Sequence, residues 1–211
     1  MGREFIDIFD DWSAENYEAS ISGKDPEYRD VFESYDSILK EVADRVSGKV
    51  IEFGTGTGNL TAKLIKNADV TGIEPNTVMR SLTAERFPQI ELVDGDLLDF
   101  PKPSHVDAFV SSYVFHHLND EEKGRALLIY AGHLSSGGKV VFADTVFITE
   151  EAKQLQIEKE RSRGYNQVAE DLEREYYTTV PILTGLFEAA GFSVEMTKMN
   201  EYVWLMDATK K

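Results

Sequence analysis

The sequence predicts an α/β fold in which a mostly parallel, doubly wound sheet carries helices on both faces. Short apolar runs alternate with segments of helical period, which is the pattern of βαβ units. A turn with three glycines, at residues 54–58, joins the first strand to the helix that follows it. A chain of 211 residues without internal repeats or flexible linkers is suited to one hydrophobic core, so we expect a single domain.

The elements follow in a regular order. An amphipathic helix is expected within residues 25–46, where apolar side chains recur every three or four positions, and Gly48 ends it. Asn119 and Glu122 have the spacing of a capping box, which predicts the start of a helix there. The predicted strands are residues 49–53, 70–73, 90–93, 106–111 and 139–143. The predicted helices between them are residues 59–68, 76–87 and 119–134.

The last part of the chain changes pattern. A charged helical stretch is expected over residues 149–175, and a short helix after Pro181 that ends at Gly191. Two β-patterned runs, residues 193–198 and 202–206, are too close in sequence for a parallel connection. They should pair as a hairpin and give the sheet an antiparallel edge.

Charge and composition exclude several classes of function. The formal net charge of -16 disfavours a nucleic-acid partner, because such binding depends on Lys and Arg. The chain has no cysteine and only four histidines, in no ligand spacing, so we expect neither a disulfide nor a metal site. No apolar run is long enough to span a bilayer, and the N-terminal MGREFIDIFDDW lacks the basic start and continuous apolar run of a secretory signal. We therefore expect a cytoplasmic protein with no membrane association.

The glycine-rich turn is the strongest functional signal. The segment VIEFGTGTGNL, residues 50–60, runs from a buried strand through Gly54, Gly56 and Gly58 into a helix. Glycines permit a sharp turn and close contact with a ligand, and the helix N-terminus offers N–H groups to an anion. In a dinucleotide-binding fingerprint the third glycine would occupy position 59, which is Asn59 here, so the spacing argues against NAD.

Acidic residues follow the next two strands. Glu74 ends the second strand, about twenty residues after the glycines begin, where a carboxylate can accept hydrogen bonds from both hydroxyls of a ribose. Asp96 follows the third strand and can accept the amino proton of an adenine that lies against Leu97. The alternatives are a solvated strand-end acid at Glu74 and a plain turn aspartate at Asp96.

These motifs resemble those of the class I S-adenosylmethionine-dependent methyltransferases over essentially the whole chain. The resemblance rests on the acid and glycines of residues 52–58, on Glu74, on GDL at residues 95–97 and on SSGGK at residues 135–139. The segments MGREFIDIFDDW, EFGTGTGNLT, VFHHL, KVVFADT and REYYTTVP are similar, more narrowly, to the YrrT-type methyltransferases, a branch that does not itself define the methyl acceptor. The family implies a Rossmann-like sheet of seven strands whose last strand is antiparallel.

The resemblance also implies a cofactor, S-adenosyl-L-methionine, and a role for each residue that contacts it. The glycines line its methionine portion, Glu74 holds the ribose, and Asp96 with Leu97 holds the adenine. Glu52 reaches the methionine amino group, directly or through water. Tyr17 lies near the methionine end, in an N-terminal segment that folds over the cofactor, although Tyr17 and Trp12 are equally well explained as packing residues. The implied cofactor contacts are Glu52, Gly54, Gly56, Gly58, Glu74, Asp96, Leu97 and Tyr17.

We expect the single domain to consist of three segments. Residues 1–47 would form an N-terminal lid and the first helix, residues 48–145 the cofactor-binding core, and residues 146–211 a helical insert followed by the C-terminal hairpin.

The methyl acceptor should bind after the fourth strand, because ligands of open α/β sheets lie outside the carboxyl ends of the strands. A histidine there can remove an acceptor proton near neutral pH, so His116 and His117 are the candidate catalytic residues. A structural capping role is the alternative, and it is strongest for His117. The other residues expected on this side are Ser112, Tyr113 and Phe115, with Tyr165, Arg174, Tyr176 and Tyr177 from the insert.

The sequence thus predicts an S-adenosylmethionine-dependent methyltransferase with a small-molecule acceptor that it does not identify. The sulfonium already makes the methyl group electrophilic, so alignment of donor and acceptor can suffice without a dedicated base. One alternative is a non-catalytic S-adenosylmethionine-binding module. Another is an NAD(P)-dependent oxidoreductase, which the glycine spacing and Asp96 disfavour. The oligomeric state is left open.

Overall fold

The computed structural model describes residues 20–211, which form a seven-stranded sheet between two layers of helices. The strand order is β3-β2-β1-β4-β5-β7-β6. Strands β1 to β5 pair in parallel, whereas β7 runs antiparallel to both β5 and β6. The strands are β1 (Gly48–Phe53), β2 (Ala68–Ile73), β3 (Glu91–Val93), β4 (Val106–Ser112), β5 (Leu134–Thr145), β6 (Phe192–Lys198) and β7 (Val203–Lys210). This is the Rossmann-like doubly wound fold that the sequence predicts, including the antiparallel last strand.

The helices lie between the strands in sequence and cover the sheet. The capping box at α4 is present, because the Asn119 side chain accepts from the Glu122 N–H and the Glu122 carboxylate accepts from the Asn119 N–H. A single 3-10 turn (Phe115–His117) follows β4. The helices are α1 (Tyr35–Ala43), α2 (Thr61–Leu64), α3 (Thr77–Arg86), α4 (Asp120–His133), α5 (Glu150–Arg163), α6 (Asn166–Arg174) and α7 (Val180–Ala189). None of the helices within residues 20–211 is both long and apolar enough to traverse a bilayer.

Two hydrophobic clusters, one on each face, hold the sheet. Successive residues of β4 alternate between them: Val110 packs with the first cluster and Phe109 with the second. In the second cluster Phe53, Phe109 and Tyr130 stack, with 4.6 Å between the ring centroids of Phe109 and Tyr130. Because β1 and β4 are buried on both faces, the loops that follow them start from a rigid base.

The register of the strands brings their carboxyl ends together. Phe53 at the end of β1 lies beside Ile73 at the end of β2 and beside Ser111 of β4. Ile73 in turn lies beside Val93, the last residue of β3. The loops that begin at residues 54, 74, 94 and 113 therefore leave the same edge of the sheet.

Some boundaries differ from the sequence-based expectations for local reasons. The first helix covers only Tyr35–Ala43, because Ser34, just before it, has a left-handed backbone at φ 61° that interrupts the helix. The expected helix over residues 149–175 is two helices, because Gly164 ends α5 with a φ of +79°. The C-terminal hairpin lies at one edge of the sheet. Its strand β6 is outermost, and β7, which is antiparallel to both of its neighbours, lies between β6 and β5.

The residues before α1 contact the helical insert, formed by α5 and α6, and the end of β4. The Tyr28 hydroxyl donates to Asp171 of α6, and Arg163 of α5 pairs with Asp30 at 2.7 Å. The ring of Tyr113, directly after β4, lies 5.0 Å from that of Phe32. The N-terminal stretch and the insert therefore approach the carboxyl edge of the sheet together.

Candidate active site

The glycine-rich loop, residues 54–58, follows β1 and has the conformation that only glycine adopts without strain. Gly54, Gly56 and Gly58 have φ values of +66°, +54° and +83°. A Cβ on Gly54 would lie 2.4 Å from a methyl carbon of Val114, whereas one on Gly56 would meet no atom of residues 20–211 within 4 Å. The Thr83 hydroxyl donates to the Gly56 carbonyl at 2.7 Å. The loop is thus packed against the chain at Gly54 and open at Gly56.

Alanine variants of Gly54 and Gly56 distinguish the packed part of the loop from the open part. Gly54→Ala should lower the stability of the fold more than Gly56→Ala, because both add a side chain at positive φ but only the first collides with Val114. Overpacking typically costs about 1–3 kcal/mol, so we expect Gly54→Ala to unfold at the lower temperature by several degrees. Thermal unfolding of the two variants beside the unmodified protein measures this difference. Equal melting temperatures would mean that Val114 moves aside freely.

Glu52, near the end of β1, is a carboxyl group enclosed in the protein. It is 1% exposed, and its Oε2 accepts the Thr61 hydroxyl at 2.6 Å. Within residues 20–211, Oε1 has no hydrogen-bond partner. Burial raises the pKa of Glu52 from 4.5 to about 8, and the bond from Thr61 only partly opposes this. A buried acceptor without a partner is costly, so Oε1 is suited to a cationic or N–H ligand group.

Glu74 follows β2 and holds the glycine-rich loop in place. Its Oε2 accepts the Gly56 N–H at 2.8 Å, and its Oε1 accepts the Asn76 N–H at 2.9 Å. Burial raises the pKa of this carboxyl above its ordinary value, while the two N–H groups act in the opposite sense. A carboxylate has about four acceptor sites, so two remain for a ligand.

Asp96 and Leu97 lie after β3. The Asp96 Oδ1 accepts the N–H groups of Leu98 and Asp99, both at 2.8 Å, which makes Asp96 a turn-forming residue. Its other oxygen, Oδ2, takes part in neither of these bonds. Leu97 is buried, and its carbonyl accepts the hydroxyl of Tyr130 at 2.7 Å. Tyr17 and Trp12, also expected near the cofactor, lie outside the described residues.

His116 and Asp144 form a close pair on the acceptor side, after β4 and at the end of β5. The Nδ1 atom of His116 lies 2.7 Å from Asp144 Oδ1, and the His116 backbone N–H donates to Oδ2 at 3.0 Å. Burial lowers the pKa of His116, but the charge and hydrogen bond of Asp144 outweigh it, so the net shift is upward. The ring of Tyr177 lies 4.9 Å from that of His116.

His117 pairs with a second carboxylate, supplied by the insert. Its Nδ1 atom lies 3.3 Å from Glu175 Oε2, and its ring lies 4.2 Å from that of His116. Burial and the neighbouring His116 lower the pKa of His117. Two adjacent histidines thus have opposite shifts, which is common where proton transfer occurs.

Donor atoms of His116, His117 and Glu175 lie within 4.8 Å of one another, a spacing that could hold a metal ion. The sequence predicts no metal site, and Glu175 is far from the histidines along the chain. The hydrogen bonds just described are an alternative account of why these groups are close.

The remaining candidates divide between the site and the surface. Arg174 pairs with Asp171 at 2.7 Å and with Glu175 at 3.2 Å, so it borders the cluster. Tyr165 instead lies against Arg163, at 4.3 Å from the guanidinium. Asp144 and Glu175 were not recognised in the sequence. Asp144 had a usable signal, because it ends a strand at the carboxyl edge, whereas Glu175 had none.

Comparison with known proteins agrees with this geometry. A profile described as "Methyltransferase domain" matches residues 50–138. An uncharacterized methyltransferase from Anoxybacillus flavithermus is 50% identical over 213 residues, covering 100% of both chains.

Solved structures at low sequence identity share the fold. Magnesium protoporphyrin IX methyltransferase from Synechocystis PCC 6803 with bound SAM has a TM-score of 0.64 at 15% identity, over 88% of this chain and 84% of that one. A SAM-bound amino pentose methyltransferase from Micromonospora echinaspora has a TM-score of 0.65 at 17% identity, over 87% and 94%. Identity over the full length of a curated relative is what decides the family: this chain belongs to the S-adenosylmethionine-dependent methyltransferases.

Proposed function

We propose that this methyltransferase acts on a small-molecule acceptor that binds beside His116 and His117. The observation that carries the proposal is the enclosure of this pair: the two side chains are only 12% and 19% exposed, and Glu175 and Tyr177 lie against them. Side chains so enclosed are suited to contact with a small molecule rather than with a folded polymer. The net charge of -16 further disfavours a nucleic-acid acceptor.

We propose the following roles on the cofactor side. S-adenosyl-L-methionine supplies a methyl group on a positively charged sulfur, which is already electrophilic. Glu52 Oε1 would accept from the methionine amino group, which gives this buried oxygen a partner. The open space at Gly56 would admit the methionine portion, with Gly54 and Gly58 shaping the turn. Glu74 would hold the ribose, and Asp96 with Leu97 the adenine.

The contribution of the chain is then to bind, align and dehydrate. His116 and His117 are the proposed catalytic residues, as bases for the proton that the acceptor loses. The contacts from Tyr28 to Asp171 and from Asp30 to Arg163 support joint action of the N-terminal stretch and the insert as a cover for this side.

Two measurements test the function. S-adenosylmethionine and S-adenosylhomocysteine should each raise the melting temperature, by the equivalent of about 2.7 kcal/mol at 100 times the dissociation constant, and NAD should not. Incubation of the protein with methyl-labelled S-adenosylmethionine and a fractionated metabolite extract should then transfer label to a small molecule. Binding without formation of S-adenosylhomocysteine in any fraction would instead favour the non-catalytic binding module. A thermal shift with NAD alone would contradict the assignment of the cofactor site.

A further inference from the structure

We propose that Asp144 is a positioning residue, which holds the His116 imidazole with Nδ1 protonated so that Nε2 is the atom that takes the acceptor proton. The inference rests on the proposed function and deepens it, because it chooses between the two histidines and adds a residue at the end of β5.

The Asp144 carboxylate is fixed by the backbone before the imidazole is considered. It is 2% exposed, its Oδ2 accepts the His116 N–H at 3.0 Å, and its Oδ1 accepts the Thr145 N–H at 2.7 Å. Oδ1 also lies 2.7 Å from His116 Nδ1. An ionised carboxylate can only accept, so Nδ1 must carry the hydrogen. In the neutral ring the lone pair is then on Nε2.

The second pair is less well fixed. The Nδ1 atom of His117 lies 3.3 Å from Glu175, and Glu175 also interacts with Arg174 at 3.2 Å. Glu175 is the C-cap residue of α6, whereas Asp144 belongs to the central sheet. A base needs a ring held within a few tenths of an ångström, and the rigid strand end supplies this better than the insert.

Charged groups of α4, β5 and α6 act on His116. Asp144 of β5 and Glu175 after α6 favour the protonated ring, and Lys123 of α4 disfavours it. Asp171 of α6 also interacts electrostatically with His116. His117 adjoins it on its own turn, and Tyr177 is held neutral because burial and the nearby carboxylates raise its pKa well above 10.0. Asp144 thus both hydrogen-bonds the His116 ring and favours its protonated form electrostatically.

The acceptor gains a methyl group and loses a proton. As the bond from the acceptor atom to the methyl carbon forms, the carbon–sulfur bond breaks and its electron pair stays on sulfur. The acceptor proton passes to Nε2 and makes the ring an imidazolium beside the Asp144 carboxylate. Loss of that proton to water restores the neutral ring.

Nitrogen NMR of the full-length protein saturated with S-adenosylhomocysteine tests the tautomer without any acceptor. In the neutral form we expect His116 to be protonated at Nδ1. Asp144→Asn should raise the Nε2-protonated fraction. The matched control is Asp107→Asn, which removes the partner of His105 at 3.0 Å on the surface, and it should leave the His116 signals unchanged.

Turnover with an acceptor from the labelled screen gives the second readout. Asp144→Asn should lower kcat at least about tenfold, with Asp144→Glu recovering part of the rate. If Asp144→Asn does not fold, His116→Gln, which leaves the carboxylate in place, should lose turnover while its S-adenosylhomocysteine affinity stays within about threefold, or roughly 0.7 kcal/mol.

Three results would overturn the inference: neutral His116 protonated at Nε2, an unchanged His116 tautomer in Asp144→Asn, or a stoichiometric divalent metal ion bound by the histidines of the purified protein. Each is distinct from failure of the proposed function, in which the unmodified protein would not bind S-adenosylhomocysteine, or would bind S-adenosylmethionine without transferring its methyl group to any acceptor.

Discussion

Glu74→Ala should weaken S-adenosylmethionine binding by about 10²- to 10⁴-fold. A carboxylate that accepts both ribose hydroxyls makes two charge-assisted hydrogen bonds, each worth roughly 1.5–3 kcal/mol. The substitution also removes the acceptors for the Gly56 and Asn76 N–H groups, so the glycine-rich loop loses its fixed shape. Isothermal titration calorimetry with S-adenosylmethionine or S-adenosylhomocysteine measures the loss.

Three further variants make this result specific. Glu74→Gln keeps a carbonyl acceptor and should lose less affinity than Glu74→Ala. Asp96→Ala should lose less again, because Asp96 would make a single contact with the adenine. Glu91→Ala, which removes an exposed carboxylate from β3, should bind normally. If Glu74→Ala bound as tightly as the unmodified protein, the ribose assignment would be wrong.

Glu52→Gln should stabilise the ligand-free protein at alkaline pH and have little effect at acidic pH. The pKa of Glu52 is about 8 in the fold against 4.5 ordinarily, so between these values the folded chain retains a proton that the unfolded chain has lost. Stability is therefore fully present below about pH 4.5 and is lost as the pH rises toward 8. At about 1.4 kcal/mol per pH unit, the loss amounts to several kcal/mol. Glutamine mimics the protonated acid at every pH, so the variant avoids this loss.

Melting temperatures at pH 5 and pH 8.5 test the sign. We expect Glu52→Gln to melt roughly 5–10 °C above the unmodified protein at the higher pH and close to it at the lower pH. Glu91→Gln, at an exposed position, should match the unmodified protein at both. A difference that does not change between pH 5 and pH 8.5 would show that packing, and not ionisation of Glu52, is responsible.

Much of the fold was readable because its signals are local. Buried parallel strands are continuous apolar runs in the sequence. The capping box that marks the start of α4 occupies only four residues, from Asn119 to Glu122. The first helix was overextended because apolar residues at helical spacing also occur in the packed turn around Tyr28, where tertiary contacts determine the backbone. Ser34, a non-glycine residue at positive φ, gives no warning in the sequence.

The cofactor side of the site could be predicted from local sequence signals, whereas the acceptor side could not. Glu52, the glycines and Glu74 lie within or directly after a strand, so their meeting follows from the rule that carboxyl ends of parallel strands share an edge. The partners of the histidines depend on long-range placement. Glu175 reaches His117 because Gly164 turns the insert back, and a single sequence carries no pattern that pairs residues so far apart. The opposite pKa shifts of His116 and His117 depend on those partners, so the sequence could not predict them.

The position of β7 has a consequence for the order in which the chain can be completed. β7 is the last of the seven strands in sequence, yet it is inserted between β5 and β6 and pairs with β5 from Lys139 to Thr145. During synthesis the long β5 strand therefore leaves the ribosome well before its neighbour exists, and its hydrogen-bonding groups on that side stay bare. Such an edge can recruit strands from other chains. The β5 segment around Asp144 therefore remains an exposed edge until the C-terminal hairpin pairs with it. The nascent protein is most prone to self-association in that interval.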